Sequence, residues 1–501
     1  MQTTAYAISK EAYSYLNWSF FRLSTIIPIF VALCCLAISA PVHAKQTQIS
    51  DKSINGAVES EFWSDKAVDA NLIDIKTRQG VVTLTGTVNN ILARERAERI
   101  SETIVGVRAV VNRIKVKPGV SRSDAELAKA VNDALLNDPA ADSYEITPKA
   151  KNGVVTLTGT VDSWQERRLC ATAAKGVKGV TEVKNSITVK YKTERSDLEI
   201  KREIEARLEN DVRVDDNLIK VEVNNSKVIL SGTVGSLAEK SRATNDAYVG
   251  GVSSVDSVTL KIEWWARDKM RRKNAYVTRS DDQIKKAVKD AFMYDPRVYS
   301  FNTDVDVDNA MVTLSGVVNN FKAKKAAEQD ARNVIGVWRV KNHLKVRPVN
   351  IPSNDVLEKR VAKALLGNLW LDRFDIDIDA MAGCVHLSGD VMTLFEKKLA
   401  ERVAEGVKGV TNVINNIRYA DSWTWKSDQE IRQDVKNELF WSPYVEEDQV
   451  SVTVFNGVVT LTGNVETLSE RKAAEDNAYE GGAKNVINNL NVTYRYYGPY
   501  Y

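Results

Sequence analysis

Histidine and cysteine are nearly absent from this chain of 501 residues, which has three of the first and four of the second. Cys34 and Cys35 fall in an apolar N-terminal run, so only Cys170 and Cys384 lie in the body of the sequence. Two cysteines over that length cannot form a disulfide framework, and neither builds the ligand cluster that a metal site needs. Of the histidines, His343 and His386 lie beyond the N-terminal region. No recurrent Ser, Asp or Cys accompanies His386, and nucleophilic catalysis needs a nucleophile within reach of its base. No G-x-x-x-x-G-K-S/T phosphate loop is present. A large excess of one charge is also missing: 69 Lys and Arg stand against 66 Asp and Glu. That balance gives no support to nucleic-acid binding. These absences point away from an enzyme, a cofactor and a metal. What remains is ordinary for a packed protein, with 44% hydrophobic and 27% charged residues.

The N-terminus differs from the rest. Lys10 and Arg22 precede an apolar run over residues 24–40, and Val42-His43-Ala44 follows. A basic flank, a short apolar stretch and a small residue at the end form the layout of a secretory signal peptide. Residues 1–44 are therefore expected to be an export signal cleaved after Ala44, with the periplasm as destination. The run is shorter than the ~20 residues of a bilayer span. Removing Lys10, Arg22 and Glu11 leaves 67 basic and 65 acidic residues, a net charge of +2.

Beyond the signal the chain repeats itself. The pattern apolar-apolar-x-Leu-Ser/Thr-Gly-x-Val recurs, or nearly so, around Gly86, Gly159, Gly232, Gly316, Gly389 and Gly463, at steps of 73, 73, 84, 73 and 74. A second glycine follows by 19 or 20 residues, at Gly106, Gly179, Gly251, Gly336, Gly409 and Gly482. A start signal precedes, at Ser50, Ser123, Ser196, Ser280, Ser353 and Ser427, each followed by Asp or, once, Asn. Three markers in one register define six copies of one unit.

Each unit reads helix–strand–strand–helix–strand. The start serine is a helix N-cap. Apolar residues four apart, such as Leu127, Val131 and Leu135, then mark one helix face. An alternating strand follows, as in residues 219–223, and Asn152-Gly153 or Asn456-Gly457 turns the chain into the glycine-tagged strand. A second helix reaches the second glycine, and a third strand closes the unit. The expected fold class is α+β: six tandem modules, each α-β-β-α-β, with a three-stranded mixed sheet and two helices on one face. Residues 50–118, 123–191, 196–263, 280–347, 353–419 and 427–495 form the modules. The long step leaves an aromatic and basic linker over residues 264–279 between two sets of three. Modules of about 70 residues bury only ~60% of their unfolded surface, so neighbours are expected to touch.

The Ser-Asp start, the Val-Thr-Leu-Ser/Thr-Gly strand and endings such as Gly106-Val107…Val110-Val111-Asn112-Arg113-Ile114 resemble the BON domain. The resemblance covers nearly all of residues 50–493. It implies a periplasmic or outer-membrane-associated protein, linked to osmotic stress and envelope integrity, that binds phospholipid or other envelope components. It brings no catalytic residues and no cofactor. The competing reading is a periplasmic scaffold or chaperone-like array that engages other envelope proteins.

Two features of the residues suit an anionic membrane surface. Eight residues after each tag glycine stands a base: Arg94, Arg167, Lys240, Lys324, Lys397 and Arg471. Three residues before each is an apolar side chain, Ile91, Trp164, Leu237, Phe321, Leu394 and Leu468. Read functionally, the bases are head-group contacts repeated along an array and adding through multivalency. Read structurally, they are a solvated helix face, with Glu166, Glu239, Glu396 and Glu470 blunting the charge beside four of them. The second feature is the linker, where Trp264 and Trp265 precede Arg267, Lys269, Arg271, Arg272 and Lys273, a pairing that suits a membrane interface or fills a seam between modules. Periodicity also implies adhesion spread over many surfaces, without one deep cleft of converging ionisable groups.

Overall fold

The start serine and the residue after it do two separate jobs, and together they set the local geometry of five of the six modules. In the computed structural model the described residues are 49–493, apart from 66–67, 121, 139–144, 192–193, 264–265, 267–278, 299–302, 369–370, 372–373, 393 and 420–425. The expected export signal lies outside them, as do Trp264, Trp265, Arg271, Arg272 and Lys273. Module 1 contains helices α1 (Asp51–Ser64) and α2 (Ile91–Glu102), module 2 α3 (Asp124–Asn137) and α4 (Trp164–Lys175), and module 3 α5 (Asp197–Asn210) and α6 (Leu237–Asp246). Module 4 contains α7 (Asp281–Tyr294) and α8 (Phe321–Arg332), module 5 α9 (Asn354–Gly367) and α10 (Leu394–Glu405), and module 6 α11 (Asp428–Trp441) and α12 (Leu468–Glu480). Among the described residues no helix is long and apolar enough to cross a membrane.

Ser123, Ser196, Ser280 and Ser427 close full capping boxes with the Glu or Gln three residues on. Ser353 makes no such bond. The following acid reaches away from its helix, to the hairpin turn between the first two strands. Asp51 accepts from the amides of Gln79 (2.7 Å) and Gly80 (2.9 Å). Asp428 does the same for Asn456 (2.9 Å) and Gly457 (2.8 Å), and Asn354 accepts from Ala382. Those two bonds hold the Asp51 carboxyl below the ordinary carboxylate range. Asp428→Ala is expected to destabilise module 6 by about 1–3 kcal/mol, because charge-assisted bonds to two turn amides vanish. Hydrogen exchange at Asn456 and Gly457 checks this: both amides should lose protection in Asp428→Ala and keep part of it in Asp428→Asn.

The second strand is central in each sheet. It pairs antiparallel with the first strand and parallel with the third, as in Val450↔Gly463 and Val458↔Asn485 of module 6. Each sheet is therefore mixed, and the two helices of its module pack on it. Every module buries its own core, for example Ile431, Val435, Leu439, Val459, Leu461 and Ala474 in module 6. Cys170 is fully buried in the module 2 core, where other copies carry alanine. His386 is half-buried on the tag strand of module 5.

The modules associate as two triads. In the first, Lys175 Nζ meets Glu95 Oε1 at 2.6 Å, Arg108 approaches Glu263 at 3.6 Å, and the Trp164 indole donates to Val252 O at 2.9 Å. In the second, Lys325 meets Glu405 at 3.7 Å and the Tyr419 hydroxyl donates to Lys484 O at 3.1 Å. Leu237 of module 3 packs on the core of module 1, and Leu468 of module 6 packs on the core of module 4. The triads join pairwise. Val212 N donates to Asn333 O and Ile335 N to Asn210 O, both at 3.0 Å, linking modules 3 and 4. Lys363 reaches Asp133 at 3.1 Å between modules 5 and 2. Trp441 of module 6 packs on the core of module 1.

Candidate functional site

The repeated bases do not stand on a free, solvated helix face. All six are half-buried at the start of the second helix. Arg167 Nη2 donates to Asn185 O at 2.7 Å, Lys240 Nζ to Leu260 O at 2.7 Å and Arg471 Nη2 to Asn488 O at 2.8 Å. The Arg167 guanidinium also lies 4.5 Å from the Trp164 ring centre. Burial lowers the Lys240 ammonium from its usual range. Arg94, Lys324 and Lys397 hold the same position, and the terminal Asn of the third strand, present in every module but the third, which has Ser257, explains why it is fixed. Asn112, Asn185, Asn342, Asn415 and Asn488 donate to the carbonyls of Arg94, Arg167, Lys324, Lys397 and Arg471 at 2.8–2.9 Å. The base position thus ties second helix to third strand through its main chain in five modules and through its side chain in three.

The neighbouring glutamates do not neutralise these bases. Glu166 Oε2 accepts from the amides of Asp162 and Ser163, Glu239 from Gly235 and Asp215, Glu396 from Met392, and Glu470 from Glu466 and Glu446. They cap the loop into the second helix. The apolar residues three before the bases are seam fillers in at least three modules: Trp164 stacks 4.6 Å from Tyr248, and Leu237 and Leu468 enter the contacts described above.

The expectation that no ionisable groups converge in a cleft fails. A cleft of about 770 Å3 opens where modules 2, 3 and 4 meet. Its walls carry Arg168, Arg207, Arg242, Arg297 and Lys322 against Asp211, Asp246, Asp295 and Asp330. Most of these groups answer one another. Arg242 Nε donates to Asp211 Oδ2 at 2.7 Å and lies 3.3 Å from Asp246, which Arg207 approaches at 3.6 Å. Arg297 holds Asp295, and Lys322 meets Asp138 at 2.7 Å. Arg207 also lies over the Tyr294 ring at 4.9 Å. Burial first, and then the Asp211 charge, push the Asp246 carboxyl up to about 7; burial and Asp295 raise Asp330 likewise. Of the contacts named here, Lys322–Asp138 crosses from module 4 to module 2 and Arg207–Tyr294 from module 3 to module 4, while the Arg242 set lies within module 3 and Arg297–Asp295 within module 4. The residues come from six helices and their flanks, so no stretch of sequence displays the cluster.

A different column faces outward. Thirteen residues after the start serine, near the end of the first helix, stand Trp63, Leu136, Met293, Leu366 and Phe440, all 45–61% exposed. Module 3 has Glu209 there. The buried stripe of the same helices falls four, eight and twelve residues after the serine, as in Ile54, Val58 and Phe62. One further residue rotates the side chain by about 100° and off the core. Scattered exposed apolar residues are ordinary, but the same position in five of six copies is not scatter. Four of the five lie beside a contact between triads: Leu136 and Leu366 follow Asp133 and Lys363, Phe440 precedes Trp441, and Met293 precedes Tyr294. Aligning the six copies at their serines reveals this column without any coordinates.

Comparison with known proteins agrees with the repeat. The family described as BON domain matches residues 50–118, 123–191, 196–262, 280–348, 353–421 and 427–494. Osmotically-inducible protein Y of Escherichia coli K12 is 36% identical over 148 residues, 28% of this chain and 74% of that protein. The outer membrane lipoprotein DolP of Haemophilus influenzae is 28% identical over 144 residues, 27% of this chain and 75% of its own length. A 21 kDa hemolysin of Actinobacillus pleuropneumoniae is 30% identical over 149 residues, 28% of this chain and 73% of its own.

Proposed function

The chain belongs to the BON-domain family, and from that premise we propose that it is a non-catalytic protein of the bacterial envelope that adheres to anionic phospholipid surfaces and supports envelope integrity under osmotic stress. The observation that carries this reading is the exposed apolar column Trp63, Leu136, Met293, Leu366 and Phe440, four of which lie beside contacts between triads. Burying one such side chain contributes about 1.5–3 kcal/mol. Alone that is weak; several on one chain add through effective concentration.

Charge selects the surface. Arg267, Lys269, Arg271, Arg272 and Lys273 outweigh Asp268 by four charges, next to Trp264 and Trp265. Each base near an anionic leaflet contributes ~1 kcal/mol. Among the six repeated bases, the three bonded to strand carbonyls retain only part of their donor capacity, so the proposal puts more weight on the linker and the apolar column. The names of two relatives, an osmotically inducible protein and an outer membrane lipoprotein, support the compartment and the stress context.

Sedimentation with phosphatidylglycerol vesicles tests the reading. The wild-type chain should pellet at low salt, be largely released at high salt, and ignore phosphatidylcholine vesicles. Replacing the five column residues by serine should weaken binding by about tenfold or more while the circular dichroism stays unchanged. A wild-type chain indifferent to both vesicles would contradict the proposal and turn the column toward protein partners.

A further inference from the structure

The contact between the first and last modules contains a carboxylate cluster that, among the described residues, the other seams lack. Glu61 of α1, Glu438 of α11 and Glu480 of α12 bring one carboxylate oxygen each within 4.8 Å of the others. Glu61 and Glu438 occupy the same repeat position, eleven residues after the start serine. The matching residues in modules 2 to 5 are Ala134, Arg207, Ala291 and Ala364. The acidic pair is therefore not inherited from the repeat; it belongs to this one seam.

Glu438 supplies the second observation. It is only 6% exposed, and its Oε2 is buried without a hydrogen-bond partner. A buried carboxylate oxygen in that state is costly unless a positive partner or a proton meets it. The surrounding charges do not provide one. Asp434 adds to the field at Glu438, and Asp65 and Asp476 add to that at Glu480. Arg96 answers them but is divided, with Nε 2.6 Å from Asp65 and Nη2 4.0 Å from Glu480; Arg402 repels Arg96 from the other side. Burial, followed by contact with Glu61, pushes the Glu438 carboxyl far above the carboxylate range, and burial with the Glu61 charge pushes Glu480 up to about 8. The side chain of Glu480 is 42% exposed, so the cluster opens to solvent on one side.

We propose that Glu61, Glu438 and Glu480 bind one divalent cation, Ca2+ or Mg2+, which clamps the first module to the last. The donor set is oxygen only, which selects hard cations over Zn2+ or Cu2+. Three carboxylates from three helices leave coordination positions for water on the open side, as both ions require. Closing this seam fastens the two ends of the array, so the cation sets how firmly the triads hold together.

The test uses the purified chain stripped with EDTA, titrated with CaCl2 and with MgCl2 in a calorimeter, beside thermal melts with and without each ion. The wild type should take up one equivalent, with a dissociation constant on the order of 10⁻⁴ M, and melt at a higher temperature when loaded. Glu438→Gln should bind about tenfold more weakly or worse and lose the rise in melting temperature. Glu480→Gln, at the exposed member, gives the same readout should Glu438→Gln fold poorly. A wild type with no cation heat and no change in melting temperature would overturn the proposal. So would Glu438→Gln and Glu480→Gln variants that keep the wild-type heat. A wild type indifferent to cations, with Glu438→Gln more stable at neutral pH, would instead assign a shared proton to the cluster.

Discussion

Gly232→Val is expected to unfold module 3, at a cost of about 4 kcal/mol or more. Gly232 has φ +113, where L side chains are strained, and a Cβ there would lie 1.9 Å from the carbonyl oxygen of Leu218. Backbone cannot yield as a side-chain tip can, because that carbonyl leads directly into the first strand, paired Ile219↔Gly232. The tag glycine marks where two strands approach too closely for any side chain. Gly176 is the contrast: its φ is −72° at the end of α4, and an added Cβ meets nothing nearer than 3.5 Å. Gly176→Ala should be neutral or stabilise by up to about 1 kcal/mol. Urea unfolding followed by hydrogen exchange in residues 219–234 separates the two outcomes. Equal stability of the two variants would contradict the reading of the tag.

Arg242→Met should be nearly as severe, about 3–5 kcal/mol, because it removes the guanidinium that Asp211 and Asp246 share at the junction of modules 3 and 4. The same junction carries a pH dependence of defined sign. Burial raises the Asp246 carboxyl from 3.8 to about 7, so the folded chain holds a proton that the unfolded chain releases. Stability contributed by such a group is complete below the unfolded value and falls as pH rises toward the folded one. Between about pH 4 and about pH 7 the junction should lose stability on the order of a few kcal/mol. Asp330, raised for the same reason, adds to the slope. Melts at pH 5 and pH 7.5 should show the wild type weaker at the higher pH and the Asp246→Asn variant losing clearly less across the interval, with Asp330 still contributing to its slope. A wild type that gains stability across that interval would contradict the assignment.

The fold was legible because each marker has a local cause that repeats. Ser123 caps, Gly159 makes room beside the first strand and Asn152-Gly153 turns the hairpin, and none of these needs a neighbouring module. The second role of the Ser-Asp pair was hidden, since Asp124 acts on Asn152, 28 residues away. What lies between modules was largely illegible. Trp164 and Leu237 occupy one repeat position, yet one donates to Val252 and the other packs on module 1. Angles between modules decide that, and six similar sequences do not encode angles. The bases looked solvated because their partners are main-chain carbonyls such as Asn185 O, which no residue pattern advertises. The apolar column at Trp63 and its equivalents was visible in principle but masked by the adjacent core stripe.

The most direct test of adhesion through the first helices is a fluorophore placed on them. In a chain whose four native cysteines are replaced by alanine, Leu366→Cys carries an environment-sensitive dye beside the seam, and Asp377→Cys carries it on the first strand of module 5. Adding phosphatidylglycerol vesicles should shift the emission of the Leu366 label to the blue and leave the Asp377 label unchanged. A shift at Asp377 alone, or at neither position while the chain pellets with the vesicles, would contradict the account.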